Sequence, residues 1–232
     1  MHGDGGNASL WCQQVEALAA EHPVFAVDVI DDPGRSVQRE PLAGPADHAR
    51  WLGEVLDGLG LHRVHFVGHA SGAWLALNQA SRAPERVASL TALEPVGIVV
   101  PRAAFALSGM VGFARLLTRS RRLPWPARRL ANAALMIDWT VSRPILQAAV
   151  GFGPRRSKGR RCADEDLGAI RAPTQIVIGG RSTLLRPAEA VARIRRVLPD
   201  ARIEVIPDAG HGLQFGYPER VNAAILAHVD GS

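Results

Sequence analysis

One stretch of sequence decides the fold of this chain: Val64-His65-Phe66-Val67-Gly68-His69-Ala70-Ser71-Gly72-Ala73-Trp74. An apolar, β-branched run ends at a glycine, small residues follow, and a helical run begins. Strand, sharp turn and helix in this order predict a nucleophile elbow, in which the two backbones cross closely. Such a crossing needs small residues, and Gly68 and Gly72 stand at the two flanking positions. The central position holds Ala70, and the serine that is present, Ser71, comes one residue later.

Segments of strand and helix character alternate along the rest of the chain. Apolar, β-branched runs predict strands, and apolar residues at helical spacing predict helices. The predicted strands, besides the elbow strand, are Val24–Val29, Val87–Leu93, Pro173–Gly179 and Ile203–Ile206; the predicted helices, besides the elbow helix, are Ser9–Ala20, Asp47–Leu59, Pro187–Leu198 and Pro218–Val229. This alternation predicts an α/β fold with a mostly parallel sheet and right-handed crossovers.

Composition limits the classes of protein to which the chain can belong. Its 232 residues, 47% of them hydrophobic, suit one domain with an inserted lobe. No uninterrupted apolar run reaches about 18 residues, and no signal peptide is visible at the start, so we expect no membrane association. The two cysteines, Cys12 and Cys162, fit a reducing compartment, and we expect a cytoplasmic protein. Metal-ligand spacing is absent, and we expect no metal site.

Charge is distributed unevenly along the chain, whose formal net charge is +5. The segment Gly97–Arg161 contains thirteen Arg and Lys and a single acid, Asp138, so the rest of the chain is acidic. A basic lobe on an acidic body attracts anionic partners, but a solvated Arg-rich surface explains the pattern equally simply, and we favour it. The most basic run, Arg155–Arg161, lacks interleaved aromatic residues, and we expect no nucleic-acid partner.

Four blocks in a fixed order point to a known family. They are His2-Gly3-Asp4-Gly5-Gly6-Asn7, Asp28 to Ser36, Gly68 to Gly72, and Ala209-Gly210-His211. Together they resemble the α/β-hydrolase family, in particular its bacterial carboxylesterase-like members. The resemblance implies a hydrolase core formed by residues 1–96 and 166–232, with a helical, basic cap at residues 97–165. It also implies strands before His2 that this sequence lacks; a misplaced start codon, a truncated chain and a decayed gene remain open as explanations.

The resemblance implies which residues stand at the nucleophile, base and oxyanion-hole positions. Ala70 falls at the nucleophile position, His211 at the base, and the backbone N–H groups of Asp4 and Ser71 at the oxyanion hole. A methyl group cannot attack a carbonyl carbon. The Ser71 hydroxyl is expected to point away from the site, because the residue after the nucleophile contributes its backbone N–H. The Asp4 carboxylate is an unexpected neighbour for a developing negative charge, although backbone donors do not depend on it.

The acid that orients the base has two candidate positions. The position that the resemblance indicates, after the strand ending at Gly179, holds Ser182, which cannot accept as a carboxylate does. Glu94, at the end of the preceding strand, is the reserve acid, since some members of the family place their acid there. A carboxylate in a turn before Pro95 is an equally good explanation of Glu94.

Three hypotheses about function follow. The first is a carboxylesterase-like serine hydrolase, cofactor-free by resemblance, that is impaired because Ala70 replaces the nucleophile and Ser182 the acid. The second is a pseudoenzyme that binds a ligand or partner in the old pocket. The third is an enzyme in which His211, oriented by Glu94, activates water directly. For each, the expected partner is a small-molecule ester or a related ligand. The sequence does not fix the oligomeric state.

Overall fold

The computed structural model describes residues 1–99 and 161–232 of the chain. Four strands in these two ranges form one parallel sheet in the order β1-β2-β3-β4. The strands are β1 Val64–His69, β2 Val87–Leu93, β3 Thr174–Gly179 and β4 Arg202–Ile206. Most of the predicted cap, residues 97–165, lies outside the described residues. The parallel α/β sheet that the sequence predicts is confirmed for the part of the chain that the structure describes.

Seven α-helices are found in the described ranges. They are α1 Val15–Ala19, α2 Pro45–Gly58, α3 Ser71–Arg82, α4 Asp164–Gly168, α5 Pro187–Val197, α6 Leu213–Gly216 and α7 Pro218–Asp230. The predicted helix over Ser9–Ala20 is divided in two: a 3-10 helix at Ala8–Trp11 precedes α1, and a turn separates them. In the described residues, no helix has the length and apolar character needed to cross a membrane.

The predicted strand Val24–Val29 is wrong, because the structure assigns no strand to these residues. A strand needs a ladder partner, and here a cavity of about 340 Å³ lies between Val24–Val27 and Val64–Val67 of β1. Among residues 1–99 and 161–232, the residue that pairs with β1 on this side is Met1. Its amino group donates to the Val67 carbonyl (2.6 Å), and its carbonyl accepts from the His69 N–H (3.0 Å). The residues 24–29 have the composition of a strand without the neighbour that would make them one.

Apolar side chains cover both faces of the sheet. Along β3, Ile176 and Ile178 pack in one hydrophobic cluster, whereas Val177 between them belongs to another, as alternation in a strand requires. The larger cluster contains most of α3, whose Ala73, Ala76 and Ala80 are completely buried, together with residues of α2, α4 and α5. The smaller cluster contains residues of α1, α6 and α7. The sheet is therefore the middle of three layers.

A buried arginine joins the two chain segments that lead into and out of the predicted cap. Arg193 of α5 donates to the carbonyl oxygens of Gly97 (3.0 Å), Ile98 and Cys162 (2.5 Å). Its guanidinium also pairs with Asp164 at the start of α4 (2.6 Å). Because five donors in a rigid fork meet carbonyl and carboxylate acceptors, this single side chain fixes both segments against α5.

We predict that Arg193→Met destabilises the protein by about 2–4 kcal/mol, since it leaves carbonyl groups and a carboxylate without their charged donor. The matched control is Arg195→Met on the same helix, because Arg195 is exposed. This control is expected to change stability by less than about 0.5 kcal/mol. Urea unfolding followed by circular dichroism measures both. Equal stability of the two variants would contradict the role of Arg193.

Candidate active site

The candidate site lies where the parallel strands end. Ala70 directly follows β1, Glu94 directly follows β2, Ser182 lies three residues beyond β3, and His211 lies five residues beyond β4. The carboxyl ends of parallel strands share one edge of the sheet, which is where open α/β sheets bind ligands. Four residues that are far apart in the sequence are therefore presented at the same edge.

The turn at Ala70 has the backbone geometry of a nucleophile elbow. Ala70 has φ 51° and ψ −113°, in a region that non-glycine residues rarely enter. A Cβ at Gly68 would overlap the backbone of Gly72, and a Cβ at Gly72 would overlap the carbonyl oxygens of Met1 and His2. The Ala70 N–H donates to the Leu93 carbonyl (2.9 Å), which holds the turn against β2. The chain keeps this strained turn although alanine occupies its centre.

Ser71, the residue after the predicted nucleophile position, is buried. It is 1% exposed, and its hydroxyl has no hydrogen-bond partner among residues 1–99 and 161–232. Its backbone N–H is the first of α3 and has no partner inside the helix. This geometry favours Ser71 as a backbone donor at the helix N-terminus.

A histidine and a carboxylate meet at the end of the sheet. The Nδ1 atom of His211 lies 3.2 Å from Oε2 of Glu94. An ionised carboxylate only accepts, so Nδ1 carries the proton and Nε2 keeps the lone pair in the neutral ring. Glu94 is completely buried and has φ 49°, a strained conformation at the end of β2. The His211–Glu94 pair has the arrangement of the base and acid of a catalytic triad.

Of the two acid positions that the sequence offers, the structure brings Glu94 to His211. Ser182, at the acid position implied by the family resemblance, instead donates its hydroxyl proton to Oε2 of Glu94 (2.5 Å). The backbone N–H of Gly179 donates to the other carboxylate oxygen (2.7 Å). Ser182 and Glu94 therefore occupy one polar cluster, with the carboxylate contributed by β2.

The sequence analysis assigned no role to His69, the residue before Ala70. Its Nε2 lies 3.0 Å from the His211 carbonyl oxygen, and the two rings lie 4.7 Å apart between centroids. A carbonyl oxygen only accepts, so Nε2 carries the proton, and the buried Nδ1 has no partner in the described part of the chain. Burial lowers the pKa of His69 from its ordinary 6.5 to about 3, and the nearby His211 adds to this effect. Its position beside the elbow was the available signal.

The predicted oxyanion loop lies against the elbow. A Cβ at Gly3 would come within 3.1 Å of the Ala70 Cβ, so the loop borders the nucleophile position directly. The Asp4 side chain is exposed, and the Gly5 N–H donates to Asp32 (3.0 Å). His2 connects the loop to the next segment: its Nδ1 donates to the Gly3 carbonyl (3.0 Å). The side chains of Asp32 and His2 therefore hold the loop through its backbone.

The block Asp28–Ser36 supports this loop from behind. The Asp28 carboxylate accepts from the N–H groups of Ala8 (2.7 Å) and Arg35 (2.8 Å), which ties the 3-10 helix to the turn. The Val29 N–H donates to Nε2 of His2 (2.8 Å). In the described ranges, no group of three or more His, Cys, Asp or Glu residues has the geometry of a metal site.

Comparison with known proteins places this geometry in context. The model of the alpha/beta hydrolase family matches residues 1–224. Carboxylesterase YbfK of Bacillus subtilis is 26% identical over 250 residues, covering 100% of this chain and 79% of that protein. Its crystal structure matches with a TM-score of 0.84 at 22% identity, covering 100% of this chain and 82% of that one. The naproxen esterase of B. subtilis matches with a TM-score of 0.78 at 25% identity, covering 98% and 81%.

We predict that the protein loses stability as the pH falls from about 6.5 toward 3, in part through His69. Between these values the unfolded histidine binds a proton and the buried one does not, so protonation favours the unfolded state. The buried Met1 amino group, whose pKa burial lowers to about 5, acts in the same direction. His69→Gln keeps an N–H for the His211 carbonyl and removes the titration. Urea midpoints at about pH 7 and pH 4 should therefore differ less for this variant than for the parent.

Proposed function

The chain belongs to the α/β-hydrolase family, and from that premise we propose that it is a carboxylesterase-type scaffold that binds a small-molecule ester or related ligand but lacks its nucleophile. The observation that carries the proposal is the contact between His211 and Glu94 beside an elbow that holds Ala70. A base and an acid are hydrogen-bonded, and the residue on which they would act is a methyl group. The protein is related to carboxylesterases by sequence.

The groups at the candidate site could perform most steps of ester hydrolysis. With a hydroxyl at position 70, Nε2 of His211 would accept its proton while the oxygen attacks the ester carbonyl carbon. Glu94 would stabilise the imidazolium that forms, and the N–H groups of Asp4 and Ser71 would donate to the oxyanion. Without that hydroxyl, no acyl-enzyme forms. We propose that the candidate site then retains ligand binding, as expected of a pseudoenzyme.

One observation favours a second candidate function, which is slow hydrolysis by water. Because Glu94 directs the Nδ1 proton of His211 to itself, Nε2 is the basic nitrogen and is chemically able to take a proton from water. An attacking hydroxide equivalent would then replace the missing serine oxygen.

The two cysteines, an exposed Cys12 and a buried Cys162, are free and support the cytoplasmic setting that we propose for either activity.

We predict that Ala70→Ser creates ester hydrolysis that exceeds that of the parent by several orders of magnitude. Loss of a triad nucleophile typically costs about 10⁶-fold in turnover, which sets the scale of the gain. The assay is hydrolysis of a short activated ester, and the control is Ala70→Ser combined with His211→Ala, which should return turnover to the parent's level.

Two outcomes of this assay would contradict the main proposal. If the parent chain hydrolyses the ester as fast as Ala70→Ser and His211→Ala abolishes both activities, water activation is the function. If the folded Ala70→Ser protein hydrolyses nothing but binds the ester, the site is a binding site whose catalytic parts are not functional.

We predict that Glu94→Gln in the Ala70→Ser protein lowers kcat by about 10³–10⁴-fold with little change in KM. Both carboxylate oxygens of Glu94 accept hydrogen bonds, so an amide NH₂ at either position faces a donor. The matched control is Glu85→Gln, at an exposed glutamate just before the opposite end of β2. Equal kcat for the two variants would exclude Glu94 as the acid.

A further inference from the structure

The Ser182 hydroxyl takes part in two hydrogen bonds, one as acceptor and one as donor. Its oxygen accepts from the Leu185 N–H (2.9 Å), and its O–H donates to Oε2 of Glu94 (2.5 Å). A hydroxyl has a single proton, and an ionised carboxylate cannot donate, so no other assignment satisfies both contacts. Ser182 is 3% exposed, so bulk water does not compete for this proton.

The Glu94 carboxylate, which accepts this hydrogen bond, is completely buried and has two further donors. The Oε2 atom of Glu94 accepts from Ser182 and from His211, whereas Oε1 accepts from Gly179. Rotation about the last side-chain bond moves both oxygens together, so the Gly179 contact opposes this rotation through Oε1 and the Ser182 contact opposes it through Oε2. Of these two donors, the Ser182 hydroxyl is the one that holds the oxygen that the imidazole contacts.

From this arrangement we infer that Ser182 is a positioning residue, which holds the Glu94 carboxylate in the orientation that His211 requires. The inference rests on the proposed function only in that it names His211 as the base. The residue stands at the position where the family resemblance places the acid itself. With the carboxylate at the end of β2, the position after β3 holds a serine, whose hydroxyl donates a hydrogen bond to that carboxylate.

The first test measures the His211–Glu94 hydrogen bond without any turnover. In the parent chain, the Nδ1 proton of His211 is observed by proton NMR and assigned by its loss in His211→Ala. We expect its exchange with solvent to become about tenfold faster or more in Ser182→Ala, since a hydrogen bond to a charged group is lost. Ser182→Thr, which keeps the hydroxyl, should restore slow exchange, and Ser182→Cys, a weaker donor, should lie between them.

The matched control is Ser89→Ala on β2. Ser89 is 1% exposed, and its hydroxyl is also hydrogen-bonded to a histidine, His65 (2.8 Å), away from the site. Unchanged exchange in Ser182→Ala, or an equal acceleration in Ser89→Ala, overturns the inference. Thermal melting of each variant identifies a protein that has not folded, and the graded Ala, Cys and Thr series then still compares folded proteins.

The second test uses turnover in the Ala70→Ser protein. Ser182→Ala should lower kcat about tenfold or more and leave KM nearly unchanged, because Ser182 acts through Glu94. In a Glu94→Gln background the same substitution should have little further effect, since both act on one interaction. If Ala70→Ser has no activity but the NMR series behaves as expected, the proposed function fails and the role of Ser182 stands. A normal kcat in Ser182→Ala overturns that role alone.

Discussion

The close crossing of β1 and α3 is the constraint on which the rest of the site depends. The two backbones meet so tightly that Gly68 has no room for a Cβ, and Gly72 has none because the carbonyl oxygens of Met1 and His2 lie against it. The price is a strained backbone at Ala70, and the surrounding hydrogen bonds to Leu93 and Val96 maintain it. Because this turn sets where β1 ends and α3 begins, it also sets the positions of the oxyanion loop and of the helix N-terminus. The chain keeps this strain with alanine at the centre of the turn.

Much of the fold could be predicted from the sequence, because each strand of the sheet is a short, apolar, β-branched run with turn residues after it. The elbow, β2 and the closing helix α7 have the predicted places within a few residues. The failure at Val24–Val29 has a different cause. A strand is defined by its partner, and along these residues the neighbour is a cavity instead of a ladder. Composition reports what a segment favours alone and carries no information about an empty neighbouring position.

The candidate site could be predicted only in part. Spacing along the chain located Ala70 and His211, because both are fixed by local turns next to a strand end. The carboxylate that contacts His211 was harder to predict, since it is defined by distance in space, and counting residues from β3 leads to Ser182. Two strand ends deliver side chains to the same point, so a carboxylate can come from either. The sequence marked His69 by its position beside the elbow but did not indicate its partner, which is a backbone carbonyl 142 residues away.

Substitutions at different positions of the site differ in what they cost in stability. A buried carboxylate is costly unless its oxygens are hydrogen-bonded, and Glu94 has three donors placed on its two oxygens. Removing a nucleophile hydroxyl, in contrast, costs the fold little, since a methyl group needs no partner. Loss of any of the three donors to Glu94 therefore costs stability, whether or not the protein turns over an ester. We propose that an acid–base pair beside a missing nucleophile follows from this difference in cost: burial favours keeping the hydrogen-bonded network, whereas alanine can stand at position 70 at little cost in stability.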